Sequence, residues 1–176
     1  MKVPYLLFSA LAVFISNQAF AIPIFDGIEL TKTKMEDYIK KRSSCPNARL
    51  YDEGVFMYDA SCLGIPAETV KIFPNNQGTV EGVILSIASG QANEALNAFS
   101  KAFTKKWGKP VKKSIPFVGD RQIIWRKHGI HIELNQEHLN FYSGYIWFAT
   151  QERVDLIEKR QQQEVKDKQS KVEEVL

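Results

Sequence analysis

The sequence predicts an α+β fold in which an antiparallel sheet packs on two helices. Two observations support this class. A helix-then-strands order occurs twice along the chain, and the strand segments alternate apolar with polar residues between short turns. A charged composition without aromatic residues begins at Gln151. We therefore expect a signal peptide at 1–21, an α+β domain at 22–150 and a charged, polar helical tail at 151–176.

The first residues, MKVPYLLFSALAVFISNQAFA, have the pattern of a secretory signal peptide. Lys2 precedes an uncharged apolar run at 3–15, and an A-x-A cleavage motif ends at Ala21. The alternative is a membrane anchor, but this run is too short to cross about 30 Å of hydrocarbon. The pattern predicts a periplasmic or secreted protein, cleaved after Ala21, that does not span the membrane.

The first helix is predicted at 34–42. Thr33 and Glu36 have the spacing of a capping box, in which each side chain accepts a hydrogen bond from a backbone N–H of the first turn. Met35, Tyr38 and Ile39 then share one face.

The segment CPNARLYDEGVFMYDASC carries both cysteines, Cys45 and Cys62. A two-residue loop at Glu53-Gly54 would pair Asp52 with Val55 and place the cysteines opposite each other. An even cysteine count in an oxidising compartment predicts a Cys45–Cys62 disulfide that stabilises the fold by about 3 kcal/mol. The alternative is a pair of buried free thiols.

Turn residues at 74–78 separate two β-branched segments and predict a second hairpin. The second helix follows, with apolar residues at i, i+4, i+7 and i+11, and Gly108 and Pro110 end it. Three strands are expected within 121–150. In the tail, Val154 and Ile157 are expected to pack on the domain, ahead of a solvated helix or frayed end.

The helix-then-strands order, with GIELTKT opening the first helix and KKWGKP closing the second, resembles two families. They are the β-lactamase inhibitor protein and the small lipoprotein of the outer-membrane barrel-assembly machinery. The resemblance implies a helix-plus-sheet module that presents one face to another protein. Thr31 stands where a glycine would be usual, and the lipoprotein's lipid-accepting cysteine is missing, so no lipid anchor is implied.

All three histidines lie between 128 and 138, and Glu133 follows His131 by two residues, so both side chains point the same way on a strand. This set could form a metal or acid–base site. The simpler interpretation is the polar side of a half-buried strand, with the other two histidines exposed in turns. The candidate residues are His128, His131, Glu133 and His138.

Six lysines without an intervening acid lie between 101 and 113. They could attract an acidic partner, or they could be a solvated helix end and loop. The lysines are Lys101, Lys105, Lys106, Lys109, Lys112 and Lys113.

Aromatic residues concentrate near the end of the predicted sheet. Alternation places Phe141, Tyr145 and Trp147 on one face, with Tyr142 and Phe148 on the other. One of these faces is expected at the surface, where aromatic side chains commonly anchor interfaces. We expect Tyr142 and Phe148 to be the anchors.

No catalytic motif is seen: the chain lacks G-x-S-x-G, a Gly-rich phosphate loop and a paired-carboxylate motif, and we expect no cofactor. The net charge of +3 predicts no dominant attraction to nucleic acid. The expected function is an exported, non-enzymatic binding protein, an inhibitor or immunity-type factor acting on a protein partner in the cell envelope. The alternative is a small hydrolase or metal protein that uses the histidine cluster.

Overall fold

The protein is described by a computed structural model at residues 23–87, 92–136 and 143–175, so the predicted signal peptide lies outside the described residues. The predicted α+β class is confirmed, including the polar C-terminal helix. The helices are α1 (Met35–Arg42), α2 (Ala92–Trp107) and α3 (Gln151–Val175). The strands are β1 (Arg49–Leu50), β2 (Phe56–Asp59), β3 (Thr69–Pro74), β4 (Val80–Ile87), β5 (Lys112–Ser114), β6 (Arg121–Lys127), β7 (Ile130–Gln136) and β8 (Gly144–Thr150).

The strands form one antiparallel sheet in the order β1-β2-β3-β4-β8-β7-β6-β5. Each half of the sheet is a four-strand meander that follows one helix, which confirms the repeated helix-then-strands order. The halves meet where β4 pairs with β8, from Gly82 opposite Ala149 to Ile87 opposite Gly144. The last strand of each half therefore lies at the centre of the sheet.

The main core lies between one face of the sheet and the helices α1 and α2. Leu96 and Phe103 of α2 are buried against it, as the helical periodicity predicts. Gly108, at φ 88°, follows α2 in the left-handed region that favours glycine. The largest core side chains of the sheet include Trp125, Ile132, Ile146 and Phe148.

The predicted capping box does not form. Thr33 Oγ1 instead accepts a hydrogen bond from the Glu29 N–H (2.9 Å), and no side chain caps α1. The Met35 N–H donates to the Gly78 carbonyl in the turn between β3 and β4 (2.9 Å). A tertiary contact thus replaces the local cap. Thr31, where a glycine would be usual, has φ 65°.

The predicted Cys45–Cys62 disulfide is confirmed, with 5.7 Å between the two Cα atoms. The predicted hairpin register is wrong by one residue, since Leu50 pairs with Phe56 rather than with Met57. The turn includes three residues, and Glu53 adopts φ 64° within it. The extra turn residue shifts the pairing, and Pro46 separates Cys45 from the ladder, so the bond does not depend on strand register.

Candidate functional site

The second face of the sheet carries polar and aromatic side chains that α3 partly covers. One cross-strand row on this face runs from Ile84 through Trp147, Glu133 and Ile124 to Lys112. The first turns of α3 lie on it, and Val154 is buried there while Ile157 is half-buried, as expected for the tail.

Between α3 and this face lies a cleft of about 360 Å³. The sheet provides one wall and the α3 residues Ile157, Glu158 and Gln161 provide the other. The prediction that His131 and Glu133 form the wet side of a half-buried strand is wrong, because their exposed fractions are only 2% and 8%.

Glu133 is the centre of a hydrogen-bond cluster inside the cleft. Its Oε1 atom accepts from Gln122 Nε2 (2.8 Å), Asn135 Nδ2 (3.2 Å) and the Tyr145 hydroxyl (3.4 Å). Its Oε2 atom lies 3.3 Å from His131 Nε2. Burial disfavours the charged carboxylate, but the hydrogen bonds from His131, Gln122 and Asn135 outweigh this and lower the pKa of Glu133 to about 2.

The depressed pKa of Glu133 predicts a pH-dependent stability. Ionised Glu133 stabilises the fold above its ordinary pKa of 4.5, and this contribution is lost as the pH falls from there towards about 2. Glu133→Gln should lower the free energy of unfolding by about 1–3 kcal/mol near neutral pH, because its amide faces donors already aimed at a carboxylate. The free energy of unfolding of this variant should also change less than that of the unchanged protein as the pH falls from 4.5 towards about 2.

Urea unfolding over that pH range checks this prediction. Glu152→Gln, which changes an exposed glutamate of α3 in the same way, is the matched control. If the free energy of unfolding of Glu133→Gln falls with pH as steeply as that of the unchanged protein, Glu133 is not the group responsible for the acid sensitivity.

His131 pairs with Glu133 but does not gather a metal-binding set. A carboxylate only accepts hydrogen bonds, so His131 Nε2 carries the proton that lies between the two side chains. Nδ1 is buried and has no partner among the described residues. His128 is exposed in the turn between β6 and β7, and His138 lies outside the described residues. Within the described ranges, no group of three ligand side chains could hold a metal ion.

Phe148 is not an exposed anchor. It is fully buried, with its ring centroid 5.6 Å from Phe103 and 6.0 Å from Phe25, so this site prediction is wrong. Tyr142 lies outside the described residues. The aromatic residues that line the cleft are instead Tyr145 and Trp147, both half-buried.

The six predicted lysines are all exposed, but they do not form one patch. Lys101 and Lys105 project from α2, one turn apart, while Lys106 donates a hydrogen bond to the Pro23 carbonyl (2.7 Å). Lys112 and Lys113 lie on β5, where the lysine-rich sequence predicts a helix end followed by a solvated loop. Alternation sends Lys112 to the cleft side and Lys113 to the other side of the sheet.

The hairpin between β5 and β6 ends in an exposed apolar tip, Ile115-Pro116-Phe117-Val118. Phe117 is fully exposed, and Ile115 and Val118 expose 47% and 66% of their surface. Sequence reasoning missed this tip, although the run IPFV between lysines and Gly119-Asp120 was a visible signal. We call residues 115–118 the hairpin tip.

The base of this hairpin is fixed to the domain. Arg121 Nη1 donates to Asn93 Oδ1 of α2 (2.8 Å) and lies 3.3 Å from Gln136 Oε1 of β7. The Val111 N–H donates to the Ile124 carbonyl (2.8 Å). The base of the hairpin is therefore held by contacts with α2 and β7, while the tip beyond it is exposed.

Comparisons with known proteins identify no family for this chain. No protein-family model matches it, and no curated protein matches its sequence. One solved structure, a DUF4309 family protein (YjgB) from Bacillus subtilis, superposes with a TM-score of 0.48 at 9% identity, over 71% of this chain and 83% of that one. A similarity this distant does not indicate a function. Across the described residues, no helix is both long and apolar enough to cross a bilayer.

Proposed function

We propose that the protein is an exported, non-enzymatic binding protein, an inhibitor or immunity-type factor that binds a protein partner in the cell envelope through the hairpin tip. The observation that supports this most is the complete exposure of Phe117 between two other exposed apolar residues. Burying one such aromatic side chain is worth about 1.5–3 kcal/mol, which the free protein forgoes. Large exposed apolar patches mark interaction sites, and aromatic anchors dominate them.

The position of the tip suits recognition by insertion. Its apolar side chains face solvent, and Arg121 holds the base of the hairpin against α2 and β7, which lowers the ordering cost when a partner binds. Lys109, Lys112 and Lys113 precede it, with no acidic residue between Lys109 and Gly119. A partner pocket that is apolar inside and acidic at its rim would complement both features.

Export rests on the signal-peptide pattern and the disulfide. A disulfide persists in the periplasm and is rare in the cytosol of most organisms. Mass measurement of periplasmic protein should show an N-terminus at Ile22 if cleavage follows Ala21.

Phe117→Ser should weaken partner capture about tenfold or more, because the partner loses the buried aromatic ring. The melting temperature should remain nearly unchanged, since the ring contacts solvent in the free protein. The measurement is a comparison of proteins retained from an envelope extract by the unchanged and variant chains.

Leu156→Ser is the matched control, because Leu156 is an exposed apolar residue on α3, away from the tip. Capture should survive this change. Lys112→Glu with Lys113→Glu should slow association and reduce its salt dependence. Equal capture by Phe117→Ser and the unchanged protein would refute the proposed surface.

A further inference from the structure

The cleft beneath α3 is lined by residues that are not part of the hairpin tip, so binding at the tip gives no role to these side chains. Its volume of about 360 Å³ lies at the lower end of the range of about 300–1,000 Å³ found for small-molecule sites. It is separate from the main core, since its buried members Ile124 and Val154 are not part of that core. From this cleft we infer that the protein has a binding site for a short saccharide of one or two rings.

The walls of the cleft offer flat apolar surface. Trp147 and Tyr145 are half-buried there, beside the aliphatic side chains of Ile124 and Ile157. The Trp147 ring lies 5.5 Å from the His131 ring, which restricts its movement. The negative face of an aromatic ring attracts C–H groups, which a sugar ring presents on its apolar face.

The same cleft offers both donors and acceptors. Lys112 and Arg126 supply donors, Glu158 supplies acceptors, and Gln161 supplies both. Hydroxyl groups donate and accept alike, so a hydroxyl-rich ring matches this mixture better than a ligand with only one kind of polar group.

The charges favour a neutral ligand over an anion. The lysine and arginine of the cleft, Lys112 and Arg126, are offset by the carboxylates of Glu133 and Glu158. A phosphate group would meet no net positive charge from these four side chains. A wholly apolar ligand would offer no hydrogen bonds to Lys112, Arg126, Glu158 and Gln161, at a cost of about 1–3 kcal/mol for each of these groups that it desolvates.

NMR titration of the full mature chain tests this inference. The probes are glucose, N-acetylglucosamine and the β-1,4-linked N-acetylglucosamine dimer, with inorganic phosphate and acetate as comparison ligands. Saturable shifts of the backbone amides of Trp147, Glu133 and Gln161 are expected with at least one saccharide and with neither anion.

Gln161→Ala should weaken saccharide binding at least threefold. Its neighbour Gln162→Ala should leave binding unchanged, because Gln162 does not line this cleft. Trp147→Phe should retain weaker binding, and Trp147→Leu should abolish it while the sheet amides remain dispersed. Phe117→Ser should bind the saccharide normally, so failure of this site and failure of the hairpin tip are distinguishable.

Two results would overturn the inference. One is the absence of saturable shifts with all three saccharides at millimolar concentration. The other is equal loss of binding in Gln161→Ala and Gln162→Ala, which would place the saccharide on the exposed surface of α3 instead.

Discussion

Phe148→Ala should be the most damaging single substitution in this set, lowering the free energy of unfolding by about 3–5 kcal/mol. Phe148 is fully buried in the central strand β8, where its ring packs against Phe103 of α2 and Phe25 of the N-terminal segment. Truncation leaves a cavity at the junction of the two halves of the sheet, which surrounding side chains fill only in part.

Urea unfolding measures this loss, and Phe117→Ala is the matched control. It removes the same atoms from a phenylalanine that is fully exposed, so stability should change by less than about 0.5 kcal/mol. Similar effects of the two substitutions would contradict the assignment of Phe148 to the core and of Phe117 to the surface.

Removal of the disulfide should have the second-largest effect. Cys45→Ser with Cys62→Ser should lower the free energy of unfolding by about 3 kcal/mol, because the bond closes a loop with a sequence separation of 17. The link joins the segment after α1 to the turn after β2, across the two-residue edge strand β1.

Thermal unfolding with and without a reductant checks this prediction. The reductant should destabilise the unchanged protein and leave the double variant unaffected. Two free thiols in denatured protein from the periplasm, or a double variant as stable as the unchanged chain, would contradict the structural role of the bond.

The elements that the sequence predicts well are those with local signals. The second helix has apolar residues at helical spacing and a glycine with φ 88° after its last residue, so its end is encoded locally. The hairpin at 74–78 and the three strands predicted within 121–150 are bounded by turn residues. Periodicity together with turn and helix-end residues therefore predicts most of the helices and strands.

The errors arise where distant parts of the chain meet. Thr33 has the spacing of a capping residue, but the turn at Gly78 supplies the partner of the first helical N–H. Strand alternation places Phe148 and Trp147 on opposite faces of the sheet. It does not indicate which face forms the core when helices cover both faces. The first turns of α3 cover the second face and bury His131 and Glu133.

The candidate site was only partly predictable for the same reason. The pairing of His131 with Glu133 follows from strand geometry, and the structure shows it at 3.3 Å. The cleft that contains them depends on where α3 packs, which no local pattern specifies. The hairpin tip was obscured because the lysines before it indicated a solvated loop rather than the strand β5.

Site-specific photo-crosslinking in cells tests the central claim, that the hairpin tip binds a protein partner, most directly. A photoreactive phenylalanine analogue replaces Phe117 in one strain and the exposed Leu156 of α3 in another. We expect a discrete adduct with one envelope protein from position 117 and none from position 156. Adducts from both positions alike, or from neither, would contradict it.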